Sequence, residues 1–404
     1  MANGIVIIGG GQAGLSASAE LRKRKYAGPV TLLAGEAALP YQRPPLSKSY
    51  LSGEMALDRL WLKPEAFYAK AEIDLRTEVR AKAIDRANCE VICEDGARIG
   101  YDDLILATGG EARRPPIPGA GLEGVHVLRT LAEADALSAA LEQAKLLVII
   151  GAGYIGLEVA ASSRKRGKEV VVLEAADRPM SRTASSLLSG WFGAIHRGYG
   201  VDLRVSAAVN RILGEDRVTG VKVGDEVIEA DLVLIAAGLS PNVALAEAAG
   251  LDVNDGIEVD EKARTSDPHI YAVGDVARFT LARYGRSVRL ESVHNAIEQA
   301  KAAARAILGE GEPYDPVPWF WSDQYELKLQ IAGLIEGSDT LVRRGDPEEG
   351  KFALFHLKDG ALIACEAVNS APEFMAAQRM IAAGARPDPE TLRDQSVAMK
   401  DFLS

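Results

Sequence analysis

Two patterns of apolar residues divide this chain. The first consists of short unbroken runs bounded by turn residues: IVII, VTLL, LILA, LLVII, VVVL and IYAV, all before residue 275. Runs this short, apolar at every position, predict strands buried on both faces, as in a parallel sheet covered by helices. Two of them lead straight into glycine-rich turns, GGGQAG and GAGYIG. Each turn opens a predicted helix, to about Lys25 and to about Arg166, and each helix leads to another strand. The chain therefore contains two βαβ units of one kind. A long helix is predicted from Ser292 to Leu308. From Val317 onward the pattern changes to alternation (LKLQIAG, KFALFHL, ALIACEAV) around an Asp359–Gly360 turn, predicting an antiparallel sheet with a helix near Pro372–Ala383. The class is α/β: two Rossmann-like dinucleotide-binding domains followed by an α+β domain with an antiparallel sheet. The Pro-rich stretch Arg114–Gly119 is a natural crossing between the first two.

Composition narrows the class. A chain of 404 residues, 48% hydrophobic, can bury two or three sizeable cores. A formal net charge of −11 argues against non-specific nucleic-acid binding. The longest apolar stretch, Leu146 to Leu157, is broken by three glycines and ended by Glu158, so no membrane span is expected. The start MANGIVIIGGG lacks a basic segment and a cleavage site, and three cysteines cannot form a disulfide framework, so a cytoplasmic protein is expected. No metal site is expected.

The glycine turns carry the first chemistry. In Gly9-x-Gly11-x-x-Gly14 the first glycine permits a tight turn, the second admits a pyrophosphate to the backbone, and the third allows close helix–strand packing. The helix N-terminus stabilises the phosphate charge. Glu36, beyond the next strand, is placed for ribose hydroxyls. Gly151-x-Gly153-x-x-Gly156 repeats the arrangement, with Glu174 ending the following strand. An acidic residue there accepts from a 2′-hydroxyl and repels a 2′-phosphate, which favours NADH over NADPH; Arg178 nearby softens that preference.

Beyond these turns, Thr108-Gly109-Gly110 follows LILA, and the segment from Thr265 to Gly274 and Asp275 ends a strand in an acidic residue. Together they resemble the second FAD fingerprint of two-dinucleotide flavoprotein reductases of glutathione-reductase-like fold. The resemblance implies non-covalent FAD on residues 1–111 and 239–315, NADH on 112–238, and a C-terminal domain from 316 to 404. Disulfide reductases of this kind carry a cysteine pair, and related oxidases and peroxidases a single cysteine, beside the flavin. Here that region reads Pro40-Tyr41-Gln42-Arg43-Pro44-Pro45-Leu46-Ser47-Lys48, without a thiol, so dithiol relay has no chemical basis. This loop, with Glu291-Ser292-Val293 and Trp319-Phe320-Trp321-Ser322-Asp323-Gln324-Tyr325, is similar to the NADH-dependent ferredoxin reductases of bacterial oxygenase systems, the putidaredoxin and rubredoxin reductase type.

That resemblance implies the reaction: hydride from NADH to FAD, then single electrons to a [2Fe–2S] ferredoxin supplying a cytochrome P450 or other oxygenase. It implies that Lys48 and Glu158, the latter read on the first turn of its helix, meet near the reactive flavin nitrogen. It places Arg43, Arg129 and the Val293 backbone against the cofactor, and Trp321 close to the flavin on the electron's exit. Lys301, Arg305 and Lys328 are the basic candidates for ferredoxin docking, and a monomer or weak dimer is expected. Two rivals share the fold: an NADH oxidase or peroxidase, which the missing loop cysteine disfavours, and an association protein of the apoptosis-inducing-factor kind, whose long insertions are missing here.

Overall fold

The computed structural model describes residues 3–403. They form two compact units, each drawn from several stretches of chain. The first holds the residues up to Gln42, Leu57–Glu111 and Ser240–Pro318; the second holds Arg43–Ala56, Ala112–Leu239 and the chain from Trp319 on.

In the first unit, β1 (Ile5–Ile8), β2 (Val30–Leu33), β3 (Asp74–Arg76), β4 (Asp103–Leu106) and, from much later in the chain, β10 (Ile270–Ala272) make a parallel sheet in the order β10-β4-β1-β2-β3. Its runs are apolar throughout because both faces are covered. Ile5 and Ile7 of β1 join the core formed with helices α1 (Gln12–Lys23) and α5 (Val293–Ile307). Val6 and Ile8 join the opposite core with Ile84, Val91, Cys93 and Leu251. Small buried residues, Ala13 and Ala17 on α1 and Ala296, Ala300, Ala303 and Ala304 on α5, let these two helices pack closely. Helix α1 stops at Lys23, two residues short of expectation, because Lys25 takes a left-handed conformation (φ 61°) that a helix cannot continue.

The second unit repeats the plan. Strands β5 (Val125–His126), β6 (Leu146–Ile150), β7 (Glu169–Leu173), β8 (Asp202–Arg204) and β9 (Leu232–Ile235) lie parallel in the order β8-β7-β6-β9-β5. Helix α3 (Tyr154–Lys165) follows the glycine turn, with α2 (Leu131–Gln143) before β6 and α4 (Ser186–Gly198) after β7. The same unit holds the alternating segments as one antiparallel sheet. Its strands are β11 (Trp319–Gln324), β12 (Leu327–Gly333), β13 (Thr340–Asp346), β14 (Lys351–Lys358) and β15 (Ala361–Val368), in the order β11-β12-β15-β14-β13. Helix α6 (Ala371–Ala382) packs on it.

The short segment Arg43–Ala56 belongs to the second unit although the residues on either side belong to the first. Leu46 and Leu51 are fully buried, Ser162 Oγ of α3 donates to Ser47 O at 2.9 Å, and Arg166 Nη1 donates to Leu51 O at 2.8 Å. Tyr50 OH donates to Asp135 Oδ1 of α2 at 2.6 Å. Among the described residues, no helix is long and apolar enough to cross a membrane.

Candidate active site

In the first unit the motif residues gather along the carboxyl ends of neighbouring parallel strands. Gly9 follows β1, Glu36 lies beyond β2, Thr108 and Gly109 follow β4, and Gly274 and Asp275 follow β10. In open α/β sheets this edge is where ligands bind. Gly9 sits at φ 122°, and a Cβ there would stand 2.1 Å from Ala107 O. A Cβ on Gly14 would stand 1.9 Å from Gly9 O, whereas one on Gly11 would meet nothing within 4 Å. The turn is therefore packed shut behind and open in front. Gly11 caps α1 and offers no side-chain bond to its first amides.

The second unit copies this cradle. Gly151 is at φ 108°, a Cβ on Gly156 would lie 2.2 Å from Gly151 O, and Gly153, the cap of α3, has open space before it. By contrast α2, α4 and α5 are capped by the side chains of Thr130, Ser185 and Ser292. The two helices after the glycine turns thus keep their amide donors available and leave room in front of them, which fits a dinucleotide pyrophosphate on each. The acidic residues differ. Glu36 Oε2 accepts from Tyr41 OH at 2.6 Å. Glu174 is held at both oxygens, by Ala152 N at 2.7 Å and Ala176 N at 2.8 Å, and keeps its remaining lone pairs for a sugar hydroxyl.

Thr108 is fixed by exchange with Asn242: its Oγ1 donates to Asn242 O at 2.9 Å, and Asn242 Nδ2 donates to Thr108 O at 3.1 Å. Gly274 N donates to Gln299 Oε1 of α5 at 2.9 Å, and Asn295 Nδ2 reaches the same oxygen at 3.3 Å. Gln299, which no motif marks, and Asn295 thereby tie the Asp275 turn to the start of α5 beside Val293. The only sequence signal for Gln299 is an amide one helical turn beyond Asn295.

In the second unit Lys48 Nζ lies 2.9 Å from Glu158 Oε1. Glu158 stands in the second turn of α3, not the first, because the helix begins at Tyr154. Stabilisation by free helix-end amides therefore does not account for it. It is 4% exposed, and its charge is compensated instead by Lys48, by Ser47 Oγ donating to Oε2, and by Ser322 Oγ donating to Oε1 at 2.6 Å. A buried carboxylate tolerates such a place only when paired and fully hydrogen-bonded. Arg43 Nη1 donates to Arg129 O at 2.7 Å, and the Glu133 carboxylate of the α2 capping box accepts from Arg129 N at 2.8 Å, so these two arginines are positioned together. Trp321 is half-buried on β11, next to Trp319, whose ring also meets Phe374 edge-on.

The docking candidates are unequal. Lys301 pairs with Glu298 at 2.7 Å and Arg305 with Glu20 at 3.0 Å, while Lys328 is exposed on β12. The three cysteines are all free thiols: Cys89 precedes a strand, and Cys93 and Cys365 are buried, with burial raising both thiols.

Two glycine-lined cradles, one in each parallel-sheet unit, define an oxidoreductase that binds two dinucleotides. The model of the pyridine nucleotide-disulphide oxidoreductases matches residues 3–300, and that of the reductase C-terminal domain matches 319–403. Rhodocoxin reductase of Rhodococcus erythropolis is 44% identical over 98% of this chain and 93% of its own. A crystal structure of a ferredoxin reductase from Rhodopseudomonas palustris superposes with a TM-score of 0.97 at 41% identity, covering 100% of both chains. The reductase chain of a covalent putidaredoxin reductase–putidaredoxin complex gives 0.96 at 38% identity, covering 100% of this chain and 99% of that one. The chain belongs to the pyridine nucleotide-disulphide oxidoreductase family and, within it, to the ferredoxin reductases. FAD and a nicotinamide dinucleotide are its cofactors.

Proposed function

We propose that this protein is an NADH-dependent ferredoxin reductase that feeds a cytochrome P450 or other oxygenase through a [2Fe–2S] ferredoxin, acting in the cytoplasm. The observation that carries this reading is the content of the loop at 40–48. Where a disulfide reductase needs a thiol, this loop brings a lysine onto a buried carboxylate.

When bound, FAD supplies the redox chemistry: it accepts two electrons as a hydride and gives them up singly. Residues 1–111 and 239–315 would hold it, with Gly9, Gly11, Gly14 and the α1 amides on the pyrophosphate and Glu36 on the ribose. Thr108, Gly109, Gly274, Asp275 and the Val293 backbone would hold the remainder, with Arg43 and Arg129 beside it. Residues 112–238 would hold NADH, with Gly151, Gly153 and Gly156 on its pyrophosphate. Glu174 would accept from the 2′-hydroxyl and disfavour a 2′-phosphate. Lys48 would place its ammonium where negative charge grows as hydride arrives, an electrostatic contribution that costs no reorganisation in a preorganised pair. Glu158 holds that ammonium in place. Trp321, on the domain from 316 to 404, lies on the proposed exit of the electrons.

Anaerobic mixing of the purified yellow protein with NADH, then with an oxidised [2Fe–2S] ferredoxin, tests the reading. Fast loss of flavin colour, followed by its return as the ferredoxin is reduced, is expected. Failure of NADH to bleach the flavin would overturn it. Lys328 is the docking cation favoured by its exposure, since Lys301 and Arg305 already have partners. Lys328→Glu should raise the ferredoxin KM several-fold, most at low salt, and leave ferricyanide reduction unchanged.

A further inference from the structure

Behind the Lys48–Glu158 pair stands a single file of buried polar side chains, all in the second unit. Ser322 Oγ donates to Glu158 Oε1 at 2.6 Å, and Gln324 Nε2 donates to Ser322 Oγ at 3.1 Å. Gln324 Oε1 faces His196 Nε2 at 2.8 Å, and Tyr325 OH lies 3.2 Å from His196 Nδ1. Ser322 and Gln324 are each 1% exposed and His196 is 0% exposed, so none of them can exchange its partner for bulk water. At the outer end Tyr199 stacks on Tyr325, ring centroids 3.7 Å apart, and donates to Glu326.

The proton inventory leaves one arrangement. A carboxylate only accepts, so Ser322 commits its one proton to Glu158 and needs a donor behind it. That donor is the Gln324 amide N–H. The Gln324 carbonyl is then left to accept, which requires a proton on His196 Nε2. Neutral His196 in this tautomer has a bare Nδ1, which accepts from Tyr325 OH. Every bond in the file points toward Glu158, and its direction is decided at the imidazole. A glutamine amide turns over with little change of shape. Without the His196 N–H behind it, Gln324 is free to offer its oxygen to Ser322 and draw the serine proton off the carboxylate.

We propose that His196 is a positioning residue of this reductase: through Gln324 and Ser322 it keeps a third hydrogen bond on Glu158 and so holds that carboxylate in place against Lys48. The proposal rests on the reading of Lys48 and Glu158 as the pair that serves hydride transfer. The neighbouring groups agree with it. Burial lowers the His196 imidazole to about 4, so it is neutral in ordinary buffers. Glu158 is faced by Lys48 and Ser47 from the loop and by Ser322 from β11. On its own helix it has Tyr154, whose phenol burial pushes upward and keeps neutral. Tyr325, against His196, is likewise raised by burial.

A Glu158 that loses this bond holds Lys48 less firmly, so the rate of flavin reduction by NADH reports on the file. The test compares the FAD-loaded full chain with H196L and H196Q, following the rate of flavin bleaching by NADH with no ferredoxin present. Losing a hydrogen bond to a charged group is worth about a tenfold change in how firmly that group is held. Flavin reduction at neutral pH should therefore be slowed about tenfold in H196L and return toward wild type in H196Q, whose amide N–H replaces the Nε2–H. An independent readout uses 15N-histidine NMR of the wild-type protein, where His196 should show a protonated Nε2 and a bare Nδ1 at neutral pH. A proton on Nδ1 would overturn the proposal even if H196L failed to fold. A reduction rate unchanged in H196L, or lowered equally in both variants, would overturn it in an enzyme that NADH still bleaches. Absence of bleaching in the wild type would instead remove the reductase reading on which the role rests.

Discussion

The two glycine cradles are near copies whose surroundings differ. In register, Gly9 matches Gly151, Ser16 then matches Glu158, and Lys25 matches Gly167. Ser16 is half-buried and takes a weak 3.3 Å bond from Gln12 Nε2. Glu158, at the same place on α3, is buried and receives three donors. The phosphate-holding part of the motif is thus the same in both units, because backbone sterics dictate it. The position one turn further along the helix faces whatever packs there, and only in the second unit is that a lysine-bearing loop. A repeated binding motif has left one of its helices free to carry an additional electrostatic device.

The largest effects should come from the shared part. Gly14→Ala puts a Cβ 1.9 Å from Gly9 O and should abolish FAD retention, giving colourless protein. Gly156→Ala, at 2.2 Å from Gly151 O, should stay yellow but lose NADH binding by titration. Loss of flavin from both variants would break the separation of the two cradles.

Next comes the part that differs. Lys48→Met strands a buried carboxylate, which costs about 3–5 kcal/mol. Denaturant melts should show that loss, and stopped-flow should show flavin reduction by NADH slowed about 100-fold. Ser16→Ala, at the matching position of the first unit, should change neither measurement beyond about 0.5 kcal/mol.

His196 gives the second unit a pH dependence. Its folded value of about 4 lies below its ordinary 6.5, so its contribution is complete above pH 6.5 and is lost as pH falls from there toward 4. About 3 kcal/mol is at stake. Melts of H196Q between pH 7 and 4 should lack that component of the decline; a slope equal to wild type would refute it.

The smallest effect lies at the helix ends. Lys25 and Gly167 both hold left-handed conformations, φ 61° and 75°. Lys25→Gly should stabilise by a few tenths of a kcal/mol, and Gly167→Ala should cost about 1 kcal/mol. Thermal melts of the two variants shifting the same way would contradict the match.

Features set by neighbours in sequence were legible from the start. Each glycine of Gly9-x-Gly11-x-x-Gly14 does a job within one strand–turn–helix, so its spacing alone announces it. The apolar runs announced buried parallel strands, and the alternation after Val317 announced the antiparallel sheet. What the sequence hid depends on partners far apart along the chain. Arg305 looked like a solvated cation until Glu20 met it 285 residues away. Glu158 looked like a helix-start carboxylate until Ser47 and Ser322 arrived, 111 and 164 residues distant. His196 carried no signal at all, since a buried imidazole inside a helix has no motif; only Gln324, 128 residues on, gives it a role.

The excursion of Arg43–Ala56 into the second unit also orders events during synthesis. This segment leaves the ribosome early, yet the helix that receives it follows 111 residues behind Ser47, a delay of roughly 5–20 s. Until then Leu46 and Leu51 have no core to enter and Lys48 has no counter-ion. The loop must remain solvated through that interval, and two adjacent prolines (Pro44 and Pro45) restrict what it can do while it waits.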